Sequence, residues 1–312
     1  MKNKSIKSIL GLLVVALVAF YFWRALSRNW DQVRTLDFSI TPEVLIATVL
    51  FASAVLTSGW LWGLVFARVS DRQVSTREAI RSHLGAWLLK YIPGQVGAYV
   101  YKLQWGKKQG ASKVASTLAF AYETLFLTLA STVLVIPILL LAPGEAISSS
   151  WIIIYVLCLA LILAVSKKSL SQAILAFLRR VSGKKISDVY VLSLNEVVRF
   201  TGYFTISRII NAVGFVVLAS SILPVTANMY APLGAAYILA GIVGIYAFMV
   251  PSGLGVREAV IVLFASTYFT TEEAIVLSLL ARLYATVADG IVAIIYSYMT
   301  GRNSKEAEVK VL

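Results

Sequence analysis

Pro93-Gly94-Gln95-Val96-Gly97 and Pro251-Ser252-Gly253-Leu254-Gly255 are the stretches that decide how this chain is read. Each sets a proline four residues ahead of a glycine in a largely apolar region. Proline cannot continue a helix, and glycine lets the backbone turn and pack closely. Each break leads through a short apolar or amphipathic piece and a polar link into a long helical pattern carrying one ionisable residue. The first of these helices begins near Ser112 and carries Glu123; the second begins near Thr270 and carries Arg282. Laying Pro93 on Pro251 superposes Gly97 on Gly255 and sets Glu123 one position from Arg282. One unit is read as being used twice, over residues 79–141 and 233–299.

The composition says what surrounds these breaks. Of 312 residues, 59% are hydrophobic and only 14% are charged, about half the charged share of an ordinary soluble domain. Several apolar runs reach the ~18 residues that span a bilayer as helix. The fold class is therefore an all-α polytopic membrane protein in a single domain over 1–312. The net charge of +13 fits cytoplasmic loops enriched in Lys and Arg rather than nucleic-acid binding. Cys158 is the only cysteine and His83 the only histidine, which leaves no disulfide and no multi-histidine metal site. Bulky residues 20–23 argue against signal cleavage, so residues 9–23 are read as a retained first span.

Six full spans are expected, over residues 9–23, 44–67, 114–141, 151–165, 200–223 and 273–299, with the two broken regions as re-entrant hairpins. Residues 167–199 form a basic connector with an amphipathic pattern suited to the membrane surface. The basic loops place both termini in the cytoplasm of a multi-pass cell-membrane protein. That orientation makes one hairpin dip from each side, giving an inverted repeat. Inverted repeats with broken helices belong to alternating-access carriers, whose free helix starts bind anions.

Charged residues inside a bilayer are costly and face a partner or a wet cavity. Glu123 and Arg282 each lie about ten residues into their helices, roughly 15 Å deep. Arg208 is inside the fifth span, and Asp289 follows Arg282 by two helical turns. Arg257 and Glu258 follow the second break, while Lys90 and Lys102 flank the first. The expected site is a central, positively charged cavity. In it Lys90, Lys102, Arg208, Arg257 and Arg282 receive a phosphate headgroup, since arginine offers paired donors to phosphate. Glu123, Glu258 and Asp289 hold those cations or exchange protons, and Pro93, Gly94, Gly97, Pro251, Gly253 and Gly255 make the breaks. The plainer alternative pairs Glu123 with Arg208 or Arg282 as a structural lock.

Motifs for nucleotide, metal or nucleophilic chemistry are missing, so no cofactor is expected and a transporter is favoured over an enzyme. The alternatives are a membrane transferase using Asp31 and Asp37, or a non-catalytic partner of a separate lipid or polysaccharide synthase. Expected partners are membrane lipids and such a synthase or glycosyltransferase; the oligomeric state is left open.

Leu89-Lys90-Tyr91-Ile92-Pro93-Gly94-Gln95-Val96-Gly97 and Pro251-Ser252-Gly253-Leu254-Gly255-Val256-Arg257-Glu258-Ala259 resemble the paired motifs of the lysylphosphatidylglycerol synthase transmembrane-region family. These are flippase-like integral membrane proteins, and the resemblance runs over residues 10–299. It implies movement of lipids or lipid-linked sugars between leaflets. In that family the domain stands alone or is fused to an aminoacyl-lipid synthase or a glycosyltransferase. With 312 residues, this sequence is expected to carry the translocation part alone. The expected substrate is an anionic lipid, either an (aminoacyl-)phospholipid or a polyprenyl-phosphate-linked sugar.

Overall fold

The computed structural model describes residues 41–92, 96–141, 190, 192–247 and 250–309. Outside the described residues lie the expected spans over 9–23 and 151–165, Cys158, Asp31, Asp37, Pro93, Gly94 and most of the 167–199 connector. All regular structure among the described residues is helical. The helices are α1 (Pro42–Ser70), α2 (Thr76–Leu88) running into a 3-10 turn (Leu89–Tyr91), α3 (Val96–Lys108) and α4 (Lys113–Leu141). After these come α5 (Leu194–Ser220), α6 (Ala227–Tyr246), a 3-10 turn (Pro251–Gly253), α7 (Val256–Ala265) and α8 (Thr271–Val309).

Local sequence explains where several helices start and stop. Ser193 and Glu196 form a reciprocal cap at the start of α5: Ser193 N–H donates to Glu196 Oε2 at 2.8 Å, and Glu196 N–H to Ser193 Oγ at 3.4 Å. Thr270 and Glu273 do the same for α8, at 2.9 and 3.2 Å. The α3–α4 link turns at Gly110, whose φ of +75° suits glycine. Ala111 N–H then closes on Gly106 O at 2.9 Å, and Ser112 caps α4 through Ala115 N–H at 3.0 Å.

Among the described residues, five helices are long and apolar enough to cross a membrane: Pro42–Ser70, Lys113–Ile138, Leu194–Ser220, Ala227–Tyr246 and Thr271–Gly301. Four match expected spans. The fifth, α6, falls in the second broken region, which was expected from residue 233; the helix starts earlier, at Ala227, and runs through Pro232. Its 20 residues rise about 30 Å. By contrast α2 and α3, with 13 residues each, rise about 20 Å, and the 10 residues of α7 about 15 Å. None of these three crosses alone.

The described residues pack as two units, each assembled from separated stretches. Unit one takes residues 41–55, 84–92, 96–98 and 210–309; unit two takes 56–83, 99–141, 190 and 192–209. The first broken region thus contributes residues to both. Unit two is built on aromatic packing: Trp62, Phe66 and Trp105 meet from α1 and α3, while Phe126 stacks on Phe200 at 5.3 Å. Its helices approach closely at small residues, since a Cβ on Gly63 would collide with the Ala79 side chain. In unit one, Tyr237 of α6 stacks between Phe51 (5.4 Å) and Phe215 (4.7 Å).

The two breaks are built differently. Ser252, Gly253 and Gly255 all have positive φ, at 53°, 67° and 79°. A Cβ on Gly253 would lie 2.7 Å from the backbone of Gly244. Gly97 lies within the first turn of α3 and is needed for space, as a Cβ there would meet Ile92 at 2.8 Å and Leu89 at 3.0 Å. The superposed glycines therefore do separate jobs. Gly253→Ala combines a left-handed backbone with a backbone collision, and should cost about 2 kcal/mol or more. Thermal melting of the detergent-solubilised protein checks this against Gly290→Ala. That helical glycine has nothing within 4 Å of a new Cβ and should keep or raise the melting temperature.

Candidate functional site

Asp289 organises one end of the polar region in unit one. It projects from α8, and three donors from residues 87–91 converge on its carboxylate. Trp87 Nε1–H donates to Oδ1 at 2.7 Å, Lys90 Nζ reaches Oδ1 at 2.8 Å and Oδ2 at 2.7 Å, and Tyr91 Oη–H donates to Oδ2 at 2.6 Å. The Lys90 ammonium also lies over the Trp87 ring, 4.1 Å from its centroid, a favourable contact for a cation with little water. Lys90 and Asp289 thus neutralise one another inside the unit.

Two helical turns before Asp289, Arg282 faces the second break. Its Nη1–H donates to Ser252 O at 3.2 Å, and Nε stands 3.9 Å from Glu258 Oε1. Glu258 is also engaged elsewhere, for its Oε2 accepts the Gly255 N–H at 2.6 Å. The start of α7 was expected to offer N–H groups to an anion; Glu258, the third residue of the helix, takes up the N–H of the preceding Gly255. Arg257 packs across Gly244, where a Cβ would lie 2.5 Å from its Nε, and Nη2–H reaches only Gly241 O at 3.4 Å. Arg257 is within electrostatic range of Tyr237, Arg282, Glu258 and Asp289.

Two features of this cluster bear on its chemistry. Lys90, Arg257 and Arg282 are three cations against the two carboxylates of Glu258 and Asp289, so one positive charge is uncompensated within the group. Three buried polar atoms, Ser252 Oγ, Arg257 Nε and Arg282 Nη2, also have no hydrogen-bond partner among the described residues. A buried donor without an acceptor costs on the order of 1–3 kcal/mol, more when charged. The chemistry of this donor set, a guanidinium pair beside a hydroxyl, suits an oxyanion such as phosphate.

The remaining expected site residues fall in unit two. Lys102 of α3 donates to Glu123 Oε2 of α4 at 2.5 Å, and His83 Nδ1 of α2 lies 3.1 Å from Glu123 Oε1. Glu123 therefore pairs with Lys102 and His83, a lysine and a histidine that α3 and α2 bring to it. Arg208 is buried on α5 of the same unit. Among the described residues, no group of three or more His, Cys, Asp or Glu side chains is arranged to hold a metal ion.

The model of the lysylphosphatidylglycerol synthase TM region matches residues 8–293. The chain belongs to this family. No curated protein matches it. The match extends over both breaks, α1 to α7 and most of α8, so both polar clusters lie in the family's membrane region.

Sequence reasoning missed Trp87, Tyr91, Ser252 and Tyr237. Trp87 and Tyr91 carry no charge to mark them, although their spacing of three and one from Lys90 does place them near it. Ser252 read as a turn residue, and its hydroxyl gains meaning only from the left-handed turn that buries it. Asp289→Asn should leave the partly buried Lys90 beside two arginines without its carboxylate and cost about 3 kcal/mol, the low end for a broken buried pair. Adding Lys90→Met should restore much of the loss, as thermal melting of the single and double variants will show.

Proposed function

We propose that the protein moves an anionic lipid between the leaflets of the cell membrane, with both termini in the cytoplasm. The phosphate of the headgroup is the partner of Ser252, Arg257 and Arg282, while the acyl or prenyl tail stays in lipid. The substrate class is an (aminoacyl-)phospholipid or a polyprenyl-phosphate-linked sugar. Membership of this family and the five membrane-length helices support a lipid-facing role. The observation that carries the proposal is the cationic excess around the second break, beside three buried polar atoms with no hydrogen-bond partner among the described residues. A structural lock needs matched charges, whereas a headgroup site needs a cationic excess that the ligand completes.

In this mechanism Asp289 holds Lys90 and the Trp87–Tyr91 segment in place, and Glu258 holds the turn by capping α7. Arg257 and Arg282 then give their remaining N–H groups to phosphate oxygens, and Ser252 adds a hydroxyl donor. Reconstitution with fluorescent phosphatidylglycerol or phosphatidylcholine tests this. Phosphatidylglycerol should cross faster in protein-containing vesicles, and Arg282→Gln should remove about tenfold or more of that increment, the effect of losing a charged hydrogen bond. Equal rates with and without protein for phosphatidylglycerol and a polyprenyl phosphate would contradict the proposal.

A further inference from the structure

Unit two holds a second buried polar cluster that headgroup binding does not use. His83 of α2, Lys102 of α3 and Glu123 of α4 are 5%, 3% and 4% exposed. Trp62 of α1 closes one side, with the Lys102 ammonium 3.9 Å from its ring centroid, and Phe120 lies at 5.6 Å. The His83 side chain also seats against bare Gly59, where a Cβ would approach His83 Cβ to 3.2 Å. Lys102 and Glu123 cancel in charge, so a structural ion pair is complete without the histidine.

The position of the imidazole is what gives the cluster a further capacity. His83 Nδ1 is 3.1 Å from Glu123 Oε1, an acceptor, and 3.2 Å from Lys102 Nζ, a donor. With the proton on Nδ1, the ring donates to Glu123 while Lys102 donates to Oε2. With the proton on Nε2, Nδ1 accepts from Lys102, and Glu123 keeps its bond to the same lysine. With both nitrogens protonated, the imidazolium sits against the carboxylate. Every protonation state of the ring therefore keeps a partner at Nδ1 without a side chain changing place, while Nε2 is buried and meets no hydrogen-bond partner among the described residues. The charged groups acting on His83 are Lys102 and Glu123; α1 contributes only the indole and the bare glycine. Histidine is the side chain whose ordinary titration falls in the physiological range.

We propose that His83, Lys102 and Glu123 form a proton-binding site, in which His83 takes up and releases one proton per transport cycle. The proton enters as a hydronium-derived H+ on whichever ring nitrogen is deprotonated and leaves by the same bond, so no other reactant is needed. Coupling of this exchange to lipid movement rests on the translocation reading above. Residues 83–91 supply His83 as well as the Trp87, Lys90 and Tyr91 donors to Asp289, so one stretch of chain serves both sites.

His83 is the only histidine in the chain, which makes the test direct. Full-length protein carrying a histidine-free tag and 15N-labelled at histidine is placed in nanodiscs and followed by NMR over roughly pH 5 to 8. The ring nitrogens should pass between neutral and imidazolium positions, with Glu123→Gln displacing the midpoint. A ring fixed in one tautomer across that range would overturn the proposal. Because the wild-type spectrum suffices, a variant that fails to fold does not spoil the test. A second arm measures fluorescent phosphatidylglycerol movement in proteoliposomes with and without an imposed pH gradient. The gradient should increase the rate in wild type, and His83→Gln should lose that increment. Lipid movement that ignores the gradient would overturn coupling while leaving translocation standing. A titrating ring in a protein that moves no lipid would instead sink the translocation reading.

Discussion

A charge taken out of water must be met by another charge, by hydrogen bonds or by a ligand, and the polar regions of this protein follow that constraint. In unit two, Lys102 and Glu123 meet at 2.5 Å with His83 beside them and an indole beneath the ammonium. In unit one, Lys90 and Asp289 are matched in the same manner, with Trp87 and Tyr91 completing the carboxylate's hydrogen bonds. Arg257 and Arg282 break the pattern. They share one carboxylate, Glu258, which is committed to capping α7 and approaches Arg282 no closer than 3.9 Å. Matched charges at two sites make the incomplete match at the third informative.

The second break sets the geometry of that incomplete match. Three left-handed residues in four positions are unfavourable for an ordinary chain, and Ser252 accepts one of them without being glycine. What the turn gains is placement. It brings Gly253 against Gly244, lets Arg257 lie over the same glycine, and presents Ser252 O to Arg282. Backbone strain held by surrounding packing is often found where a ligand is gripped. The turn, the arginine pair and the small residues of α6 are best understood as one construction.

Much of this was legible in the sequence because membrane burial leaves strong marks. Long apolar runs gave four of the five membrane-length helices. The Pro-x-x-x-Gly stretches marked the breaks, and the spacing of seven put Arg282 and Asp289 on one helical face. The expected second broken region began only at residue 233, whereas the helix starts at Ala227 and carries Pro232 in its second turn. Partner choice was not legible. Spacing along a chain cannot say that α3 delivers Lys102 to Glu123, or that Glu258 turns back on Gly255. The match between Gly97 and Gly255 was a match of letters: one glycine makes space and the other makes a left-handed cap.

The central claim is that the open donors of Ser252, Arg257 and Arg282 are completed by a lipid phosphate. Mass-spectrometric analysis of the lipids retained by the purified protein addresses it without a transport assay. The account requires that anionic phospholipid or polyprenyl phosphate be enriched over zwitterionic lipid, relative to the source membrane. That enrichment should disappear in a folded Arg257→Gln, Arg282→Gln double variant. A retained lipid pool matching the bulk membrane, and unchanged in the variant, would contradict it.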